Sequence, residues 1–256
     1  MKVIFLGTGT SQGIPVIGCR CEVCTSVDYR DKRLRASIYV EYEGVKMVVD
    51  TGPDFRQQML RERIDQLDAV LFTHAHKDHV AGMDDIRSYN FLQKKDMPIY
   101  ATDFVIGRLE KEFEYIFSAD DYPGIPKVTV NPIENRPFSV NGKEIIPIEV
   151  MHYKLPVLGF RFGDFTYITD ANHISEEEKE KIKGSKVIVL NALQKKSHIS
   201  HFNLEEALEL MEELKPEKGY LTHLGHFMGT HKDVSEELPE NVEIAWDGLQ
   251  MSIDNS

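Results

Sequence analysis

Short apolar runs alternate with polar stretches along the whole chain, and this pattern predicts alternating strands and helices. The longest uninterrupted apolar runs have four residues, at 3–6, 69–72 and 187–190, so none is long enough for a membrane-spanning helix. Turn signals at Glu43-Gly44 and Gly163-Asp164 lie inside two longer runs and predict hairpins there. The predicted strand segments are KVIFLGTG, SIYVEYEGVKMVVDTG, AVLFTHAH, MPIYAT, NGKEIIPIEVMH, LGFRFGDFTYITDA, KVIVLNA, KGYLTHLG and VEIAWDGLQMSI.

Helical patterns separate these strands. They cover 54–63, 84–95, 103–117 and 175–183. A further helix is predicted after Asn203, because asparagine followed three residues later by Glu206 forms a capping box. Its apolar face is predicted to contain Leu204, Leu208, Met211 and Leu214. Two strand-rich halves, each with helices, predict two packed sheets covered on the outside by helices, in a single domain spanning 1–256.

The composition narrows the range of partners. The chain has 30 Lys and Arg residues against 42 Asp and Glu residues, which gives a formal charge of −12. An acidic surface repels phosphate backbones, so binding of nucleic acid by general electrostatics is not expected. The apolar stretch near the N-terminus is broken at Gly7 and is too short for a signal peptide. We therefore expect a cytoplasmic protein that does not bind membranes.

The three cysteines lie within six positions, at Cys19, Cys21 and Cys24. An odd and clustered set does not fit a disulfide framework, which needs an even number of dispersed cysteines. Three thiolates on one short loop are suited to tetrahedral Zn²⁺, which needs one further ligand. Three ordinary buried thiols are the alternative.

The densest group of chemically active residues follows the predicted strand DAVLF. His74, His76, Asp78 and His79 occur within six residues. Alternate residues at a strand end point to the same side, so His74 and His76 suit one metal ion, and Asp78 and His79 could reach a second. Imidazole and carboxylate ligands suit Zn²⁺, Mn²⁺ or Fe²⁺. A polar loop that happens to contain histidines is the alternative.

Further candidate ligands end other predicted strands. His152 ends IIPIEVMH, Asp170 ends FTYITD, and His223 ends GYLTH. Together they would complete a site for two ions, with a third histidine for the first ion, a bridging carboxylate, and a histidine for the second. Asp50 ends VKMVVD and could orient a metal-ligand histidine through a hydrogen bond, without binding the metal itself. A simple turn cap is the alternative for Asp50.

The order of these motifs resembles that of the metallo-β-lactamase fold hydrolases. The motifs are DTG, HxHxDH, a later His, an Asp after a strand and a late His, and they run from Asp50 to His223. The resemblance implies an α/β (α+β) fold, a four-layer αββα sandwich with two metal ions at one edge. It further implies that His74, His76 and His152 bind the first ion, that Asp78, His79 and His223 bind the second, and that Asp170 bridges them.

A narrower resemblance is to the 5-phosphoribosyl 1,2-cyclic phosphate phosphodiesterases. The opening LGTGTSQGIPVIGCRCEVC, the segment THLGHF with His226, and SHISHFNL with His201 carry this resemblance. It implies that His226 completes a structural zinc site with the three cysteines, and that His201 is a catalytic histidine. His198 is interpreted as a capping or solvent-facing residue. The helical segments 84–95 and 103–122 are expected to wall the pocket, where Asp84, Asp85 and Arg87 are candidate lining residues.

These observations favour a metal-dependent phosphodiesterase acting on a small cyclic or linear phosphodiester. Two active-site ions, Zn²⁺ or Mn²⁺, would provide a bridging hydroxide as nucleophile. His201 would protonate the leaving oxygen or hold a non-bridging one, and Asp78 joins it as a candidate catalytic residue. The alternatives are a tRNA 3′-end processing nuclease, a non-hydrolytic cofactor-biosynthesis protein of the same fold, and a glyoxalase II-like thioesterase. The expected partner is a small phosphodiester substrate, and nucleic acid is not expected to bind. A homodimer is a candidate assembly.

Overall fold

A computed structural model describes residues 1–118 and 123–254 of the chain. Its strands are β1 (Lys2–Gly7), β2 (Ser37–Tyr42), β3 (Val45–Val49), β4 (Ala69–Leu71), β5 (Met97–Ala101), β6 (Val128–Pro132), β7 (Phe138–Val140), β8 (Lys143–His152), β9 (Leu155–Phe162), β10 (Phe165–Tyr167), β11 (His173–Ile174), β12 (Val187–Asn191), β13 (Lys218–Thr222), β14 (Val242–Ile244) and β15 (Gln250–Ser252).

The α-helices within the same ranges are short. They are α1 (Glu22–Thr25), α2 (Phe55–Glu62), α3 (Lys77–Val80), α4 (Arg87–Gln93), α5 (Asp103–Glu112), α6 (Glu114–Phe117), α7 (Glu176–Ile182), α8 (Leu204–Leu214) and α9 (His231–Ser235). Two 3₁₀ turns occupy Tyr29–Asp31 and Met83–Ile86. Among the described helices, none combines the length and the apolar character that crossing a bilayer requires.

The strands form two mixed sheets. The first has the order β15-β1-β2-β3-β4-β5-β6. The second has the order β11-β8-β9-β10-β12-β13-β14, with β7 beside β8. One hydrophobic cluster lies between the sheets, and two others lie between each sheet and its outer helices. The predicted four-layer αββα sandwich is confirmed.

The first strand shows why the apolar runs are continuous. In β1, Val3 and Phe5 belong to the cluster between the two sheets. Ile4 and Leu6 belong to the cluster beneath the helices of the first sheet. Because successive side chains point to opposite faces, both faces of the strand are buried from Val3 to Leu6, and these four positions are all apolar.

The turn and cap signals are confirmed at their predicted positions. Glu43 and Gly44 both have positive φ, at 48° and 85°, which is the geometry of the tight two-residue hairpin turn between β2 and β3. Gly163, with φ of 54°, turns the chain between β9 and β10. At the start of α8, Asn203 and Glu206 form the reciprocal capping box.

Several element boundaries differ from the predictions. The segment 84–95 begins as a 3₁₀ turn and becomes α-helical only at Arg87. The segment 103–117 breaks at Phe113, where φ is −115° and ψ is 44°. Residues 119–122 of the predicted wall lie outside the described residues. The C-terminal segment divides between the sheets, with β14 in the second and β15 in the first. The alternation of apolar and polar residues does not show which of the two sheets a strand joins.

Three strands, β6, β7 and β11, were not predicted. Strand β6 lies at an edge of the first sheet, and its side chains are half-buried or exposed. Partial exposure removes the need for an apolar run, so the hydrophobic pattern is weak there. Strands β7 and β11 contain only three and two residues, too few to show a period.

Parallel strands bring several chain segments to one edge. Strands β3 to β6 are parallel to one another in the first sheet. In the second sheet β10, β12, β13 and β14 are parallel. The carboxyl ends of parallel strands meet at the same edge, so residues that follow these strands are brought together.

Candidate metal centre

The candidate residues follow the strand ends as the sequence predicts. Asp50 follows β3, His74 and His76 lie in the loop between β4 and α3, and His152 is the last residue of β8. Asp170 lies three positions beyond β10, and His223 directly follows β13. Helix α3 then carries Asp78 and His79.

Asp78, His79, Asp170 and His223 form one compact group. One ligand atom from each lies within 4.8 Å of the others. Nε2 of His79 is 3.3 Å from Asp78 Oδ2 and 3.2 Å from Asp170 Oδ2. Nε2 of His223 is 3.2 Å from Asp170 Oδ1. This set offers two imidazole nitrogens and two carboxylates to a common point.

Asp50 fixes the orientation of His79. Its Oδ2 accepts a hydrogen bond from Nδ1 of His79 at 2.7 Å, and both side chains are fully buried. With the proton on Nδ1, a neutral His79 directs its Nε2 lone pair at the carboxylates of Asp78 and Asp170. A lone pair facing two carboxylates is unfavourable, and a positive charge on or beside Nε2, either a proton or a metal ion, removes the repulsion. The donor set therefore fits a divalent metal ion.

Three carboxylates dominate the electrostatics around His79. Burial alone would lower the pKa of this imidazole, but Asp170, Asp50 and Asp78 raise it well above its ordinary value. Burial likewise opposes ionisation of Asp170, yet His223 and His79 hold its pKa well below the usual range. A region of concentrated negative charge around buried imidazoles is a setting that binds cations.

His74, His76 and His152 lie side by side. The ring centroids are 4.5 Å apart for His74 and His76, and 5.2 Å apart for His76 and His152. Nδ1 of His74 contacts the hydroxyl of Thr73 at 2.9 Å, which itself donates to Asp50. Nε2 of His74 is buried without a hydrogen-bond partner among the described residues. This nitrogen is free to bind a ligand.

His201 lies on the other side of His152. His152, Asp170 and His201 form a second group whose ligand atoms lie within 4.8 Å. The His201 ring is 4.6 Å from that of His152 and stacks on that of His223 at 4.9 Å. Burial, with His223 beside it, lowers the pKa of His201 to about 3. His201 is therefore a neutral imidazole at the edge of the cluster, whereas His198 is exposed.

Three of the site residues have strained backbones. Asp50, Asp170 and His223 have φ values of 65°, 55° and 56°. Non-glycine residues rarely adopt this left-handed region, at a cost of about 1–3 kcal/mol each. Each of them follows a strand at the same edge, where the turn aims its side chain back toward the cluster. Such strain is concentrated at functional sites.

The cysteine loop forms a separate group with His226. Nδ1 of His226 lies 3.3, 3.5 and 3.6 Å from the sulfurs of Cys19, Cys21 and Cys24. The backbone N–H of Cys24 donates to the sulfur of Cys21 and lowers the pKa of that thiol to about 6. Three sulfurs and one nitrogen in this arrangement match the donor set of a closed tetrahedral zinc site.

The segment between His223 and His226 is tied to the N-terminal loop. The N–H of Leu224 donates to the carbonyl of Thr8 at 2.9 Å, and the N–H of Thr10 donates to the carbonyl of Leu224 at 3.0 Å. The same short segment thus carries one member of each group. The two candidate metal sites are therefore connected through the backbone of residues 223–226.

Some site residues were not found from the sequence. Thr73 links Asp50 to His74, and the carbonyl of Ser200 accepts from Nδ1 of His152 at 2.8 Å. The contacts of Thr73 with Asp50 and of Ser200 with His152 join distant segments, which a linear pattern does not show. Of the candidate pocket residues, Asp84 accepts from Tyr115 of α6 and pairs with Arg87. The first contact joins the 3₁₀ turn to α6, and the second joins it to α4.

The comparisons with known proteins agree with this geometry. A model of the β-lactamase superfamily domain matches residues 46–224. The crystal structure of a diphosphatase from the PhnP family superimposes with a TM-score of 0.93 and 35% identity, covering 99% of this chain and 98% of that one. This chain belongs to the metallo-β-lactamase superfamily and, within it, to the PhnP family.

Two further relatives extend the superfamily comparison. An octanoyltransferase from Porphyromonas gingivalis is 37% identical over 257 residues, which cover 99% of this chain but 52% of that protein. The chain thus spans about half the length of that curated relative. Zinc-bound PqqB from Methylobacterium extorquens shares the fold, with a TM-score of 0.80 and 19% identity over 99% of this chain and all of that one.

Proposed function

We propose that this chain is a metal-dependent hydrolase that cleaves a small cyclic or linear phosphodiester. The observation that carries the proposal is the convergence of seven histidine and aspartate side chains at one edge of the sandwich. The 35% identity to a diphosphatase of nearly the same length supports phosphate chemistry. The octanoyltransferase name belongs to a protein about twice as long, so it does not identify the half that matches this chain.

The donor set divides into two candidate ion sites. His74, His76 and His152 would hold one ion, Asp78, His79 and His223 the other, and Asp170 would contact both. When bound, divalent ions in such a pair neutralise charge on the phosphoryl oxygens and lower the pKa of water. Asp50 keeps His79 in the tautomer that presents Nε2, and Thr73 does the same for His74.

His201 is proposed to act on the substrate directly. Its imidazole lies beside His152 and His223 but bonds to neither. Its Nδ1 is buried without a hydrogen-bond partner among the described residues. A neutral imidazole donates one N–H, which can stabilise the leaving oxygen or a non-bridging phosphoryl oxygen.

Cys19, Cys21, Cys24 and His226 are proposed to hold a structural zinc ion. All four positions of a tetrahedral ion would be filled by protein, so no position is left for substrate. This ion would fix the loop that also presents His223. Its role is support of the active site, without a chemical step of its own.

The substrate is proposed to be a small molecule. The chain carries a formal charge of −12, and general electrostatic attraction of a polynucleotide is weak for such a surface. Two divalent ions bound at the candidate centre would still attract a single phosphate group.

A substrate panel tests the proposal. Purified protein supplied with Mn²⁺ or Zn²⁺ should hydrolyse bis-p-nitrophenyl phosphate, and nitrocefin, a β-lactam, should remain intact. Phosphodiesters with poorer leaving groups and a thioester such as S-lactoylglutathione complete the panel. Cleavage of the thioester without any phosphodiester hydrolysis would show that the proposed chemistry is wrong.

His201→Ala, with His173→Ala as the matched control, tests the role of His201. We expect His201→Ala to lower turnover by roughly 10²–10⁴-fold with unchanged metal content, whereas the exposed His173 should be dispensable. A larger loss for poor leaving groups indicates that the N–H of His201 hydrogen-bonds to the leaving oxygen. An equal loss for all leaving groups indicates that His201 holds a non-bridging oxygen.

A further inference from the structure

Asn172 lies two positions after Asp170 and contacts both neighbours of His152. Its backbone N–H donates to the carbonyl of Met151 at 2.8 Å. Its Oδ1 accepts from the N–H of Tyr153 at 2.7 Å. Tyr153 has a left-handed φ of 58°, a conformation that needs support from its surroundings. Asn172 thereby holds the end of β8 on either side of His152.

The same side chain reaches a second segment. Nδ2 of Asn172 donates to the carbonyl of Ile199 at 3.2 Å. The next carbonyl, that of Ser200, accepts from Nδ1 of His152 at 2.8 Å. Two adjacent carbonyls of the loop 192–203, which carries His201, are therefore bound, one by His152 of β8 and the other by Asn172.

Within the loop, the N–H of Ser200 donates to Nδ1 of His198 at 3.4 Å, and backbone contacts hold the residues that follow His201. The N–H of Phe202 donates to the carbonyl of Ala171 at 2.7 Å, and Asn191 bonds to both backbone groups of Ala171. Ile199 itself is 68% exposed, so apolar burial does not fix it. The amide of Asn172 is the side-chain contact that the structure shows for Ile199.

We propose that Asn172 is a positioning residue that holds the loop 198–201 against His152 and so sets the place of His201 for catalysis. This inference rests on the proposed function, because it assigns Asn172 an effect on turnover through His201. Misplacing a catalytic group by about 1 Å can cost roughly 100-fold in rate.

Asn172→Asp separates the two contacts. An aspartate keeps the oxygen that accepts from Tyr153, but it loses the donor to Ile199 and places a charge beside that carbonyl. We expect amide hydrogen exchange of the peptide 196–203 to become faster, kcat to fall roughly tenfold to 100-fold, and KM and metal content to change less than about twofold. The leaving-group profile should match that of His201→Ala.

The matched control is Asn90→Asp. Nδ2 of Asn90 donates to the carbonyls of Lys95 and Lys127, and its Oδ1 accepts from Lys127. Asn90, within α4, thus joins two backbone segments in the same way. Its substitution should change local exchange there and leave kcat unaltered.

A double-mutant cycle decides whether Asn172 acts through His201. In the His201→Ala background, Asn172→Asp should have almost no further effect on kcat. An equal loss in both backgrounds, a loss of metal, or unchanged exchange of 196–203 would each overturn the inference. If the wild type hydrolyses no phosphodiester, the proposed function fails, and the exchange comparison alone decides whether Asn172 holds the loop.

Discussion

Asp50 illustrates how one buried side chain organises several candidate ligands. Its two oxygens accept from the N–H and hydroxyl of Thr73 and from Nδ1 of His79. Burial raises the pKa of this carboxyl, while His79 and Thr73 oppose that rise. The carboxylate thereby fixes the tautomers of His79 and, through Thr73, of His74. Its contribution to the site is orientation.

Asp50→Asn should weaken metal binding at the active site. The substitution keeps the shape of the side chain and removes the charge that fixes His79, and loss of such a supporting partner lowers metal affinity by roughly 10- to 100-fold. Competition with a chromophoric chelator measures the change. Asp68→Asn is the control, because Asp68 bonds to Lys46 and Lys95 away from the cluster. Equal affinities in wild type and Asp50→Asn would contradict the assigned role.

His231 makes the stability of the fold depend on pH. Its backbone N–H donates to Asp31, and its ring packs edge-on against Trp246. Burial, with Arg33 beside it, lowers the pKa of His231 from 6.5 to about 4. As pH falls through this window, the unfolded chain binds a proton that the folded chain does not, so stability present above pH 6.5 is lost.

His231→Gln should remove part of this dependence. Between about pH 7 and pH 5, the wild-type free energy of unfolding should fall by on the order of 1 kcal/mol more than that of the variant. Urea unfolding at the two pH values measures both. His173→Gln, at an exposed position, should behave as wild type, and an identical pH profile for His231→Gln would argue against a depressed pKa.

At the scale of elements, the site depends on close backbone packing between the Asp50 loop and α3. The N–H of Thr51 donates to the carbonyl of His79, and the N–H of Gly82 donates to the carbonyl of Thr51. A Cβ atom on Gly52 would lie 2.1 Å from the carbonyl oxygen of Asp78. Only glycine permits this approach, which brings Asp78 and His79 up to Asp50.

Gly52→Ala and Gly107→Ala form a contrasting pair. In Gly52→Ala, the added methyl group must push α3 away, so we expect a loss of stability of roughly 1–3 kcal/mol and weaker metal binding. At Gly107, within α5, a Cβ meets open space, and alanine should be neutral or stabilise by about 0.5–1 kcal/mol. Thermal unfolding and metal titration measure both. Wild-type metal affinity in Gly52→Ala would show that this packing is not needed.

Sequence patterns predicted the elements where burial is strong. The continuous apolar runs of β1 and β12, the Glu43-Gly44 turn and the Asn203 capping box all have local causes, so a linear reading finds them. The edge strand β6 and the break at Phe113 reflect partial exposure and tertiary packing, which leave no period in the sequence.

For the whole molecule, the candidate ligands were predictable because strand ends at one sheet edge converge. The contacts that support these ligands were not predictable from the sequence. Thr73, Ser200 and Asn172 act through hydrogen bonds to Asp50, His152 and Tyr153, which are distant in sequence, and no motif specifies these pairings. The positive φ angles of Asp50, Asp170 and His223 were also not predictable, because non-glycine residues give no sequence signal for this conformation.

The proposed metal content of the whole molecule is two ions at the sheet edge and a third in the cysteine loop. Cys21→Ser opens only the cysteine site, whose binding energy also contributes to folding. Asp170→Ala removes the carboxylate shared between His79 and His223. The two substitutions should therefore act on different ions.

Elemental analysis of protein purified without chelator tests this claim most directly. The wild type should contain roughly three metal ions per chain, Cys21→Ser roughly two with a lower melting temperature, and Asp170→Ala roughly one together with no hydrolysis of bis-p-nitrophenyl phosphate. Folded wild-type protein with only trace metal, or an Asp170→Ala variant that keeps its full metal content, would contradict the account.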